Sequence, residues 1–178
     1  EKMIDMIHPD KDMDGLTTVN AGRLFSGKDG LFGGTPRAVM AILKHYGISV
    51  EGKHAVIIGR SNVIGKPVAM MLMQKNATVT ICHSRTKNLS EITQQADILV
   101  TAVGKAGCVT ADMVKPGAIV LDVGINRIHG KTVGDVDYEN VFPVASAVTP
   151  VPGGVGSVTT TMIIESIVKA GEHAAGIK

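Results

Sequence analysis

Residues 54–73, HAVIIGRSNVIGKPVAMMLM, constrain the fold of this chain more than any other stretch. Ala55 to Ile58 form an apolar, largely β-branched run that stops at Gly59. A polar turn, Arg60-Ser61-Asn62, leads to Gly65, after which Val68, Met71 and Leu72 recur at helical spacing. A buried strand, a tight turn and a helix start in that order offer backbone N–H groups and a helix dipole to a phosphate. The usual dinucleotide fingerprint G-x-G-x-x-G is missing, because the turn reads G-R-S-x-x-x-G. Arg60 and Ser61 stand where that fingerprint keeps bare backbone. A guanidinium there favours a dianionic group, which points to a phosphorylated dinucleotide. The same pattern also suits a crossover that only packs well.

The rest of the chain repeats the alternation. Strands are predicted over 54–58, 77–82, 97–102 and 118–123, with helices over about 65–75 and 88–96 and a short turn near 110–114. Residues 126–136 read as a loop or small hairpin. Val144 to Val148 reads as a short strand, and a last helix is predicted over about 158–170. Strand–helix alternation implies α/β architecture with a mostly parallel, doubly wound sheet. Upstream, EKMIDMIHPDKDMDGL reads as a helix tail (Met3, Ile4, Ile7) stopped by Pro9. A Gly/Thr/Asn-rich loop then runs to Gly34. Thr35-Pro36 opens a helix, with Thr35 as N-cap, Pro36 at the first turn and Gly47 as its stop. The uncapped opening reads as a cut through a longer protein. We therefore expect residues 1–34 to be a remnant leading to an N-terminal domain, and 35–178 to be the nucleotide-binding domain.

Composition narrows the function. The 178 residues are 44% hydrophobic with a mean hydropathy of +0.23, enough for one α/β domain with a sizeable core. No apolar run approaches the roughly 18–20 residues of a membrane span. A net charge of +2, with two tyrosines, three phenylalanines and no tryptophan, gives no case for nucleic acid. The 21 glycines exceed the roughly 12 expected from average usage and sit at turns between apolar runs, as in loops that meet a ligand with bare backbone. Cys82 and Cys108 lack metal-type spacing and read as reduced thiols, with a disulfide between them as the alternative. The histidines show no ligand spacing, and no nucleophile–base pair is identifiable.

Five further stretches bear on chemistry. An NAD-preferring fold often ends its second strand in a carboxylate that holds the ribose diol. Here the strand ends in His83-Ser84-Arg85-Thr86, so hydroxyls and cations replace the acid and suit a 2′-phosphate better. Val103-Gly104-Lys105 and Asp122-Val123-Gly124-Ile125-Asn126 close the next two strands and let backbone approach a nicotinamide ribose. The loop 149–157, TPVPGGVGS, stiffens with prolines and then exposes N–H groups; it reads either as an ornate helix start or as a main-chain grip on a planar ligand. Lys11-Asp12-Met13-Asp14-Gly15 reads either as a solvated turn or as carboxylates that accept paired N–H donors from an amino-heterocycle.

Taken in order, KDMDG, TP at 35–36, IGRSNVIGKPVA, ATVTICHSRT, GDVD and TPVPGGVG strongly resemble the methylenetetrahydrofolate dehydrogenase/cyclohydrolase family, from about Ile7 to the end. The resemblance implies a Rossmann-type fold. It also implies NADP-dependent oxidation of 5,10-methylenetetrahydrofolate and hydrolysis of the methenyl product to 10-formyltetrahydrofolate. By matching position, Gly59, Arg60 and Ser61 would hold the cofactor phosphates, Ser84 would lie near the 2′-phosphate, and Ile125 would contact cofactor through its backbone. Asp14 would meet the folate pterin, and Pro152, Gly153, Gly154, Val155 and Gly156 would close over substrate. No metal is implied. Tetrahydrofolate one-carbon derivatives, a homodimer and a cytoplasmic place in one-carbon metabolism are.

The chain departs from the family pattern around the folate side. Gly33-Gly34 replaces Pro-Cys before Thr35-Pro36, Thr17-Thr18 replaces His-Pro, and Ser157-Val158 replaces Pro-Met. The family's catalytic lysine, with its tyrosine and glutamine, matches no position in this sequence, so no catalytic residue is assigned. The alternative is a stand-alone NADP-binding or regulatory module that never catalyses.

Overall fold

The computed structural model describes residues 3–177. Five strands form one parallel sheet: β1 (His54–Ile58), β2 (Thr78–Cys82), β3 (Ile98–Thr101), β4 (Ile119–Asp122) and β7 (Ala147–Val148); β1, β3 and β4 are apolar runs that lead into glycine turns, and β2 alternates Thr with apolar residues. Their spatial order is β2-β1-β3-β4-β7, and every pairing is parallel. Residues 126–136 supply a separate antiparallel hairpin, β5 (Asn126–Ile128) and β6 (Lys131–Val133).

Inner strands lack a polar face because both sides are covered. Ala55 and Ile57 of β1 enter one hydrophobic cluster with α2 (Gly34–His45), α3 (Gly65–Met73) and α6 (Val155–Ala174). Val56 and Ile58 enter a second cluster on the opposite face, beside α4 (Leu89–Thr93), the 3₁₀ turn Ala111–Met113 and α5 (Tyr138–Val141). Ile57, Ile98, Leu99 and Leu121 are among the largest fully buried side chains, each worth about 1.5–3 kcal/mol of transfer free energy. The predicted doubly wound α/β sheet is therefore the fold.

Local geometry departs from the sequence reading in four places. The opening is not a helix tail: Ile4–Met6 and Pro9–Lys11 are single 3₁₀ turns, and Met3 and Met6 are exposed. The segment read as a loop to Gly34 contains α1 (Thr18–Phe25). Thr17 caps it through its side chain to the Asn20 N–H, and Asp12 accepts from the N–H groups of Leu16 and Thr17. Three side-chain acceptors (Asp5 takes the Thr18 N–H) satisfy donors that low helix propensity had hidden. Thr35 is inside α2 rather than its cap; Gly33 takes that position, and Gly47 with φ +65° ends the helix as expected. Finally, α6 starts three residues before the predicted 158 and continues to Ala174.

Gly34 explains the closest helix contact. A Cβ there would lie 2.6 Å from Ile163 Cγ1 and 3.2 Å from the Thr159 carbonyl oxygen, so glycine lets α2 press onto α6. Arg37 secures the crossing by donating to the Met162 carbonyl at 2.9 Å, to the Ser166 hydroxyl and to Glu165.

Candidate functional site

Strand order reverses between β1 and β3, so the crevice beyond their carboxyl ends is where an open α/β sheet takes ligand. The β1 turn there is built by close backbone approach. Gly59 has φ +129°, and a Cβ on it would lie 2.6 Å from the Ala102 carbonyl oxygen. A Cβ at Gly65 would lie 2.2 Å from the Gly59 carbonyl oxygen. These two glycines fold the turn back on itself, a shape no larger residue permits. Ser61 Oγ accepts from the N–H groups of Ile64 (3.0 Å) and Gly65 (3.3 Å), which fixes the entry to α3. The N–H groups of Arg60, Ser61, Asn62 and Val63 find no acceptor among the described residues. Arg60 and Ser61 are exposed at this tip. Four N–H groups without an acceptor among the described residues, a helix N-terminus and an exposed guanidinium thus occur together at this turn, the donor types to which a phosphate group binds.

The neighbouring strand end brings Ser84 close. Ile58 pairs with Cys82, so His83–Thr86 emerges beside Gly59 and Arg60. The His83 N–H donates to Thr86 Oγ1 at 2.8 Å, and the Arg85 N–H to His83 Nδ1 at 3.2 Å, leaving the exposed Ser84 and Arg85 side chains on the outside of the turn.

Across the crevice, Ile125 is 69% exposed and lines a cavity of about 380 Å³ together with Thr35, Ile64, Asp122 and residues 150–157. The structure thus brings Ile125, Pro152, Gly153, Gly154, Val155 and Gly156 to one cavity. Gly59, Arg60, Ser61 and Ser84 lie outside its lining, and Ile64 of the β1 turn joins the two regions. Asp14 is not in the lining either. It is exposed, and a Cβ on Gly33 would come within 3.2 Å of its carbonyl oxygen, which places it at the start of α2 beside Thr35. Of the two acids in KDMDG, Asp12 is therefore the helix anchor and Asp14 the free one.

Sequence reasoning missed two residues of this wall. In the sequence Asp122 stands only as a strand end and Asp135 only as part of GDVD, yet both are buried. Asp122 accepts from the N–H groups of Gly124, Asp135 and Val136 at 2.9, 3.1 and 2.9 Å. Burial pushes its carboxyl above the usual range despite those donors, and the Asp135 charge pushes the same way. An acid closing an apolar strand one residue before Val-Gly was the available signal. Burial likewise raises the thiols of Cys82 and Cys108, so neither is a poised thiolate.

The family model described as "Tetrahydrofolate dehydrogenase/cyclohydrolase, NAD(P)-binding domain" matches residues 33–175. The chain belongs to this family. It is 56% identical over 171 residues to the bifunctional protein FolD of Streptococcus pneumoniae serotype 4, covering 96% of this chain and 60% of that protein. Among solved structures, the bifunctional FolD of Campylobacter jejuni superposes with a TM-score of 0.95 at 48% identity, covering 97% of this chain and 62% of the other. The Trypanosoma brucei FolD, solved with NADP cofactor and inhibitor, gives 0.92 at 35% identity, covering 98% and 62%. This chain is thus similar to the NAD(P)-binding part of FolD proteins and spans about 60% of the length of the curated relatives it matches.

Proposed function

We propose that this chain is the NADP-binding part of a bifunctional enzyme that oxidises 5,10-methylenetetrahydrofolate to the methenyl form and hydrolyses it to 10-formyltetrahydrofolate. The observation that carries the cofactor choice is Arg60, exposed at the tip of a turn with four unused N–H donors, beside a β2 end that offers Ser84 and Arg85 but no carboxylate. In this reading Gly59, Arg60 and Ser61 hold the phosphates and Ser84 lies at the 2′-phosphate. Ile125 meets the cofactor through its main chain. When bound, the cofactor takes up the hydride leaving the one-carbon unit. Asp14 accepts from the pterin edge, and Pro152 to Gly156 close the 380 Å³ cavity over folate. FolD relatives at 55–56% identity are named bifunctional, which supports the pair of activities.

In this proposal residues 1–34 join the domain 35–178 to an N-terminal catalytic domain. The family lysine matches no residue of this sequence, so the chain alone binds NADP without turnover. Positioning and proton transfer are worth many orders of magnitude in rate. Homodimers form along β2, an edge strand with Val79 and Ile81 only half-buried. No helix among the described residues is long and apolar enough to cross a membrane. A dual assay, for NADPH formation and methenyl hydrolysis, on the longer protein that contains this chain tests the activity. Absence of both overturns it and leaves the stand-alone binding module as the reading.

A further inference from the structure

A carboxylate removed from water must be compensated by donors or a cation. Asp135 is fully buried and has no cation partner among the described residues. Five donors converge on it instead. The consecutive N–H groups of Val103, Gly104 and Lys105 lie at 2.7, 3.1 and 2.8 Å, with Thr101 Oγ1 at 3.3 Å and Asn126 Nδ2 at 2.9 Å. Three successive amides turned onto one anion, around Gly104 at φ +68°, make a backbone nest of the kind that otherwise takes phosphate. Asp122 holds the Asp135 backbone in place through its N–H. Glycine is required at the two points where the acids meet backbone. A Cβ at Gly124 would lie 2.2 Å from Asp135 Cγ, and one at Gly134 would lie 1.9 Å from Asp122 Oδ2.

The nest borders the site directly. It starts at Val103, one residue after Ala102, whose carbonyl is the surface against which Gly59 packs. Asn126 follows Ile125. One carboxylate therefore ties the β3 loop to the β4 loop, next to the residue that Gly59 faces.

We propose that Asp135 is a positioning residue for the dinucleotide, acting as an internal anion that fills the β3-loop nest and leaves the β1 turn as the phosphate-binding donor set. With the nest closed, a diphosphate has one backbone site in the crevice instead of two. With it open, the β3 loop loses its clamp, Gly59 loses its support, and a second anion site competes. This inference rests on the reading that the chain binds NADP.

The test uses Asp135→Ala and Asp135→Asn in this chain, with sodium formate as a detached carboxylate and sodium chloride at equal ionic strength as control. Calorimetric titration with NADP is one readout and the melting temperature is the other. We expect Asp135→Ala to melt several degrees lower and to bind NADP on the order of 10-fold more weakly. Formate, and not chloride to the same extent, should restore both. Asp135→Asn, which fills the space but turns an NH2 onto N–H donors, should lose similar affinity and gain nothing from formate. NADP affinities within twofold of the parent in both variants overturn the proposal, as does a loss in Asp135→Ala that formate does not touch. If Asp135→Ala folds only in formate, the proposal stands; if it does not fold at all, the NADP affinity of Asp135→Asn decides. A parent chain that fails to bind NADP overturns the functional reading and the positioning role with it; failure of the positioning role alone is told apart because there the parent binds NADP and both variants bind it equally well.

Discussion

Replacing Gly65 with alanine sets two effects of opposite sign against each other. Alanine in a helix interior is favoured over glycine by about 0.5–1 kcal/mol, and by less in the first turn, where Gly65 stands. Against that, the new Cβ would sit 2.2 Å from the Gly59 carbonyl oxygen, 2.6 Å from its carbon and 3.0 Å from the Arg60 nitrogen. Relief needs a shift of roughly 0.8 Å to reach even a tight contact. The obstacle is backbone, and it cannot retreat freely. The Gly59 N–H is bonded to the Cys82 carbonyl at 2.8 Å, and its α-carbon already faces Ala102. Overpacking of this kind costs about 1–3 kcal/mol, so the clash wins and the net loss is on the order of 1–2 kcal/mol. The displaced turn carries the phosphate donors, and NADP affinity should fall on the order of 10-fold with it. Gly22→Ala is the matched control. It lies within α1 with nothing inside 4 Å of its added Cβ, and should stabilise by about 0.5–1 kcal/mol without touching affinity. Urea unfolding and calorimetric titration read both quantities. A Gly65→Ala chain as stable as the parent, with unchanged NADP affinity, would refute the reasoning.

Three other outcomes follow from particular residues. Arg60→Ala removes a charge-assisted contact of about 1.5–3 kcal/mol, so NADP should weaken on the order of 10- to 100-fold and NAD much less; equal losses for both cofactors would reject the 2′-phosphate assignment. Burial pushes the Asp12 carboxyl up, but hydrogen bonds from Asn20, Thr17 and Leu16 outweigh it and hold the group below the ordinary 3.8. Its contribution is therefore present above pH 3.8 and disappears as pH falls through the lowered value; the stability difference between the parent and Asp12→Asn should shrink on acidification, as followed by circular dichroism. Light scattering at tens of micromolar should show a dimer that Val79→Lys on the β2 edge disperses, and a parent that is only monomeric counts against that contact.

What the sequence made legible follows the strength of local physics. β1, β3 and β4 are readable because buried parallel strands need continuous apolar runs, and β2, at the sheet edge, because Val79 and Ile81 alternate with threonines; each ends at a glycine or polar turn. Helix α1 was hidden because its stability comes from outside its own residues. Its eight residues hold a glycine and an asparagine, and its N-terminus is satisfied by Asp5, Asp12 and Thr17, which a periodicity reading does not connect to it. The site divides the same way. Gly59, Arg60 and Ser61 were visible because a strand, a turn and a helix start occur in one short stretch. The cavity of Ile125 and residues 152–156 is assembled by three-dimensional closure of loops some 25 residues apart, and only likeness to a family brought them together beforehand.

Asp122 and Asp135 belong to neither group, and the reason is physical. A buried carboxylate looks in sequence like a solvent-exposed one, because what distinguishes it is the set of N–H groups aimed at it. Those donors come from loops whose backbone turns inward only because glycines at 124 and 134 leave room for the acids. Acid and glycine therefore specify one another: neither 122 nor 135 can be occupied as it is unless 134 and 124 stay bare. A crevice wall built in this way is rigid without using the apolar core. That leaves the core free to hold the sheet and the exposed β1 turn free to present its donors to a ligand.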